Sequence, residues 1–94
     1  MNRAELIELA ERVEAAGHND NALDVLVEIA LFRPDKRFIA IRANAAGTKV
    51  IYTDHSGRES THLAWDWTDH RLGCADRRKQ TAAALRARAA EFAA

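Results

Sequence analysis

Apolar positions recur at helical spacing over the first third of the chain, alternate in its middle, and return to helical spacing at its end. Leu6, Leu9, Ala10, Val13 and Ala16 fall three or four residues apart, with Glu5, Glu8, Glu11, Arg12 and Glu14 filling much of the remainder. That spacing predicts an amphipathic helix. Asn2 followed by Glu5 reads as its capping box, and Gly17 is expected to stop it by entering the left-handed conformation. His18-Asn19-Asp20-Asn21 predicts a turn whose side chains cap a second helix, Asn21 to Phe32. This helix carries Leu23, Val25, Leu26, Val27, Ile29, Ala30 and Leu31. Its interior polar residues, Asp24 and Glu28, are four apart and share one stripe. A helix so apolar is buried on several sides, either as the central helix or under a second subunit. Pro34 ends it.

Arg37 to Ala43 and Thr48 to Thr53 predict two strands, separated by the turn Asn44-Ala45-Ala46-Gly47. After a second turn, Asp54-His55-Ser56-Gly57, the stretch Glu59 to Thr68 alternates strictly. Thr61, Leu63, Trp65 and Trp67 fall on one face, and Ser60, His62, Ala64, Asp66 and Thr68 on the other. It predicts a third strand completing an antiparallel meander, with Leu63 and at least one indole in the core. Gly73 closes the following loop, and Asp76 caps a last helix reaching about Phe92, with Ala82, Leu85, Ala89 and Phe92 as its stripe. The expected architecture is a single α+β domain over residues 1–94, in the order α-α-β-β-β-α, with helices against one face of the sheet.

The composition suits one small globular domain: 48% hydrophobic and 30% charged residues among 94. No apolar run approaches the roughly 18–20 residues of a membrane span, so no membrane partner is expected. The start of the chain lacks the apolar core of a signal peptide, and the lone Cys74 cannot form an internal disulfide. Both favour the cytoplasm. Net charge is zero but uneven. Residues 1–30 hold two basic and seven acidic side chains (net −5), and residues 31–94 hold twelve and seven (net +5). The asymmetry suits an acidic outer helix face, head-to-tail pairing of subunits, or one attractive surface for an anion. It is not the balance of a dedicated nucleic-acid binder.

Chemistry is concentrated near the last helix. Arg77, Arg78 and Lys79 occupy its first turn, where the helix dipole disfavours cations and the free amides favour an anion. Either these side chains extend into water beside Asp69 and Asp76, or they bind an anion together with His70 and Arg71. Trp65 and Trp67 then offer an indole for stacking on a base. His62, Asp66, Asp69 and His70 supply metal-type ligands without a recognised spacing, and neither Cys74 nor Ser56 is paired with a base. No phosphate loop or dinucleotide fingerprint occurs. No cofactor, metal or catalytic activity is expected.

Thr81-Ala82-Ala83-Ala84-Leu85-Arg86-Ala87-Arg88-Ala89-Ala90 resembles the ending of a set of short bacteriophage and prophage proteins of unassigned function. Leu23-Asp24 and Tyr52-Thr53 are similar to a Leu-Asp pair and a mid-chain Tyr-Thr in those chains. After Tyr52-Thr53 a turn and the tryptophan stretch replace their usual short helix. The resemblance implies a phage origin and carries no functional residues across. The expected function is a non-enzymatic, homo-oligomeric phage accessory protein that binds a small anionic ligand, with a host immune signalling nucleotide as the candidate, and sequesters it in anti-defence. The alternatives are a protein–protein interaction module that blocks a host protein, and non-specific nucleic-acid binding by the basic half.

Overall fold

The computed structural model describes residues 1–69 and 77–92. His70, Arg71, Gly73, Cys74 and Asp76 lie outside the described residues. The chain forms α1 (Arg3–Ala15), α2 (Asn21–Leu31), β1 (Phe38–Ala43), β2 (Val50–Asp54), β3 (Glu59–His62) and α3 (Arg77–Ala90). This is the α-α-β-β-β-α order, an α+β fold.

The starts of the first two helices follow from local side-chain chemistry. Asn2 Oδ1 accepts from the Glu5 amide at 2.8 Å, and the Glu5 carboxylate reaches back to the Asn2 amide, closing a capping box. Asp20 Oδ1 caps α2 through the Leu23 amide at 3.1 Å. The end of α1 differs from expectation. Ala16 turns the chain into extended backbone (φ −62°, ψ 123°), and only Gly47 and Gly57 have positive φ among the described residues, so Gly17 is not a left-handed stop. An Arg78 guanidinium donates instead to the Ala16 carbonyl, supplying a partner at the helix end where unpaired carbonyls accumulate.

Leu6, Leu9, Ala10 and Val13 of α1 meet Leu23, Val27 and Ala30 of α2 and Ala82, Leu85 and Ala89 of α3 in one buried cluster. Phe92, expected on the stripe of α3, lies beyond the end of that helix and is half exposed. On the opposite side of α2 the sheet takes over, and Val25 and Val50 are each fully buried. Among the described residues α2 alone of the three helices packs directly on the strands. The apolarity of α2 is thus largely met inside one chain: it is the central helix.

The strands lie in the order β1-β2-β3, antiparallel throughout. Ile41 pairs with Tyr52 and Tyr52 with Ser60, while Ala43 pairs with Val50 and Val50 with His62, so these residues share the face toward α2. A register shift between Phe38 and Ala40 leaves Ile39 as the irregular residue. Gly47 (φ 69°) and Gly57 (φ 90°) turn the two hairpins. Asn44 Oδ1 accepts from Thr48 and Lys49 in the first, and Asp54 Oδ1 from Ser56 and Arg58 in the second.

The third strand corrects the sequence reading. It ends at His62, not Thr68, and Leu63 is 74% exposed rather than in the core. From Leu63 onward the chain leaves the sheet and crosses toward α2, whose Glu28 and Asp24 carboxylates accept hydrogen bonds from it.

Candidate functional site

Two carboxylates on one stripe of α2 hold the departing segment. Asp24 Oδ1 accepts from the Thr68 amide at 2.8 Å and the Thr68 hydroxyl at 2.9 Å, while Thr68 Oγ1 accepts from the Asp20 amide at 2.8 Å. Burial pushes the Asp24 carboxyl above its usual value, the Thr68 hydrogen bonds oppose that rise, and the charges of Asp66 and Asp20 add to it. One turn along, Glu28 Oε1 accepts from the Trp65 amide at 2.9 Å and from Trp67 Nε1 at 3.0 Å. Its other oxygen accepts from the Tyr52 hydroxyl at 2.6 Å. Burial raises the Tyr52 phenol above its ordinary value, as do its hydrogen bond to Glu28 and the charge of that carboxylate. Glu28 therefore ties α2, the middle strand and the tryptophan segment together. On the far side, the Thr81 hydroxyl donates to the Trp67 carbonyl at 2.9 Å, fastening the segment to α3.

The strapped segment and the sheet enclose an open groove of about 500 Å³. Its walls are Phe38, Tyr52, His62 and Trp65, together with Leu63 and Ala64, and its polar groups are Glu28, Arg37 and Asp66. The rings form two groups, one on the sheet and one on the strapped segment. Phe38 and Tyr52 have centroids 4.7 Å apart, and His62 meets Tyr52 edge-on at 5.6 Å. The Trp65 and Trp67 rings stand at 72° with centroids 4.9 Å apart. A guanidinium lies over one ring of each group: Arg37 is 5.1 Å from the Phe38 centroid and Arg77 is 4.5 Å from that of Trp65. Such a surface can stack a planar group and hold it beside positive charge.

The two tryptophans are separated in role. Trp67 packs half-buried against the helical core, with its indole N–H on Glu28, whereas Trp65 is 54% exposed on the groove wall. The three cations at the start of α3 diverge, since consecutive helical residues point about 100° apart. Arg77 turns to Trp65, the Asp66 carbonyl (3.2 Å) and Asp69 (3.3 Å). Arg78 turns to the end of α1, and Lys79 is exposed with its charge acting on Glu14. The structure therefore brings Trp65, Trp67 and Arg77 together and does not bring Arg78 and Lys79 to them. His70 and Arg71 lie outside the described residues. Among those described, no group of three His, Cys, Asp or Glu residues is placed to hold a metal ion.

Sequence reasoning passed over Glu28, Arg37, Phe38 and Tyr52, and weighed His62 and Asp66 only as metal ligands. The available signal was Asp24 and Glu28 on an otherwise apolar helix, two acceptors that required donors from elsewhere in the fold. Compared with known protein families, curated proteins and solved structures, the chain matches none.

Proposed function

We propose that this chain is a non-catalytic binding protein that takes a small planar anionic ligand, of the nucleotide class, in the aromatic groove. The observation that carries this reading is the half-exposed Trp65 indole, backed by the Arg77 guanidinium, on the wall of an open groove of about 500 Å³. That volume suits a ligand of nucleotide size. Stacking on one indole is worth about 1–3 kcal/mol per base. Arg37 supplies a cation inside the groove, and Arg77, paired with Asp69, lies over the stacking ring and braces it. The non-catalytic reading rests on the use already made of the groove's central carboxylate: Glu28 serves three donors. In the phage setting that the last helix resembles, such a protein would sequester a host immune signalling nucleotide.

Isothermal titration with nucleoside monophosphates, cyclic dinucleotides and ADP-ribose-type nucleotides tests the proposal. Binding by the native chain, weakened about tenfold or more in Trp65→Ala, is the expected result. Silence across the panel overturns it. One observation favours a second reading, a protein partner: Leu63 (74% exposed) stands two residues from Trp65, leaving two large apolar side chains at the groove rim. A stoichiometric host protein recovered with the native chain and lost with Leu63→Asp, together with silence in the titrations, would favour that reading.

A further inference from the structure

Resting on the nucleotide reading, we infer that the groove selects guanine bases, with Asp66 reading the base edge while Trp65 stacks on its face. The polar groups around Trp65 are in unequal states. Glu28 already accepts from the Trp65 amide, the Trp67 indole and the Tyr52 hydroxyl. The Tyr52 hydroxyl is thereby engaged, and His62 Nε2 faces Ser60. Asp66 lines the groove immediately after Trp65 in the chain; the residue is exposed, and its carboxylate has no hydrogen-bond donor among the described residues. Its backbone is held firmly: the Asp66 carbonyl accepts from Arg77, and from the Asp69 amide at 3.3 Å. A carboxylate so placed is an acceptor with two oxygens and nothing to donate.

That chemistry separates the bases. Guanine presents N1–H and the 2-amino group side by side, two coplanar donors that match the two oxygens of a carboxylate. Adenine presents one amino donor beside the N1 lone pair, and cytosine one beside N3, so each sets an acceptor against the carboxylate. Uracil has a single N3–H flanked by two carbonyls. Arg37 enters the groove from the start of β1, whereas Asp66 enters from the segment leaving β3 on the other side of β2. The base-reading group and the cation available to a phosphate therefore approach from opposite edges of the sheet, which accommodates a nucleotide lying across Tyr52.

Titration of the full chain with GMP, IMP and AMP, repeated on Asp66→Asn, tests the inference. The carboxylate is exposed and accepts no hydrogen bond among the described residues, so circular dichroism of this variant is expected to match that of the native chain. GMP is predicted to bind roughly 10–100-fold more tightly than AMP, the discrimination typical of a bidentate base contact. IMP, which lacks the 2-amino donor, falls between them. In Asp66→Asn the GMP preference is lost while AMP binding is kept. Equal binding of GMP and AMP by the native chain overturns guanine selection and leaves the nucleotide reading standing. A GMP preference that survives in Asp66→Asn overturns the role of Asp66. Binding of none of the three, with silence also toward the cyclic dinucleotides, overturns the nucleotide reading and this inference with it.

Discussion

At the scale of single residues the molecule turns on Glu28, a carboxylate with three donors from two distant parts of the chain. Hydrogen bonds to a charged acceptor are worth about 1.5–3 kcal/mol each, less where water competes. Glu28→Ala is therefore expected to cost about 2–4 kcal/mol in chemical denaturation, and to shift tryptophan fluorescence as Trp67 loses its partner. A loss below the error of the measurement would remove Glu28 from its role. Asp24 behaves differently, since its burial opposes its charge. The folded carboxyl sits above its unfolded value, so the folded state binds more protons over that interval. Stability from this group is greatest below the ordinary carboxylate range and declines as pH rises through the raised value. Asp24→Asn keeps an oxygen for Thr68 and removes the buried charge, and is expected to leave stability at neutral pH unchanged or higher. Asp24→Ala strands the buried Thr68 amide and is expected to cost about 1–3 kcal/mol. Equal losses for the two variants in parallel urea titrations would contradict the assignment.

At the scale of elements, what was legible in the sequence was local. The capping box at Asn2 and Glu5, the cap at Asp20, the apolar stripes of α1 and α2, and the turns at Gly47 and Gly57 each depend on residues within about one turn of one another. The path of Leu63 to Thr68 was not legible, because strict alternation predicts a strand wherever no competing acceptor is known. The competitors, Glu28 and Asp24, stand 37 residues from Trp65 and 44 from Thr68 along the chain. The candidate site was accordingly half visible: Trp65 and Arg77 stood out by type and position, whereas Phe38, Tyr52 and Glu28 read as ordinary strand and helix residues. The meander has its own acid sensitivity. Backbone hydrogen bonds from Phe38 and Arg37 hold the Asp35 carboxyl below its usual range, and the Ser56 hydroxyl, with the Arg58 and Ser56 amides, does the same for Asp54. Both contributions are present at neutral pH and are lost as pH falls through the lowered values. Amide exchange monitored between pH 6 and pH 3 should show the Asp54 to Arg58 turn losing protection before α1 and α3. Simultaneous loss across the chain would contradict this ordering.

At the scale of the whole molecule, α2 divides a helical core from an aromatic, polar layer that carries the groove. The helical side is conventional packing: Leu85 is fully buried against α1 and α2, and Leu85→Ala is expected to cost about 2–5 kcal/mol in thermal or urea unfolding. The uneven charge of the two halves is partly resolved inside the chain, since Arg86 of α3 pairs with Glu14 of α1; Arg33 and Glu91, both in the basic half, pair at 2.5 Å. These pairs are exposed, so they orient surfaces more than they stabilise them. No helix among the described residues is long and apolar enough to cross a membrane. The groove of about 500 Å³ lies on the aromatic side of α2, and ligand binding there is the central functional claim. Two-dimensional amide and indole NMR during a GMP titration tests it most directly. The account predicts saturable shifts at Phe38, Tyr52, His62 to Asp66 and both indole N–H groups, with α1 unmoved. Shifts confined to Lys79 and the outer faces of α1 and α3, or no shifts at millimolar GMP, would contradict it.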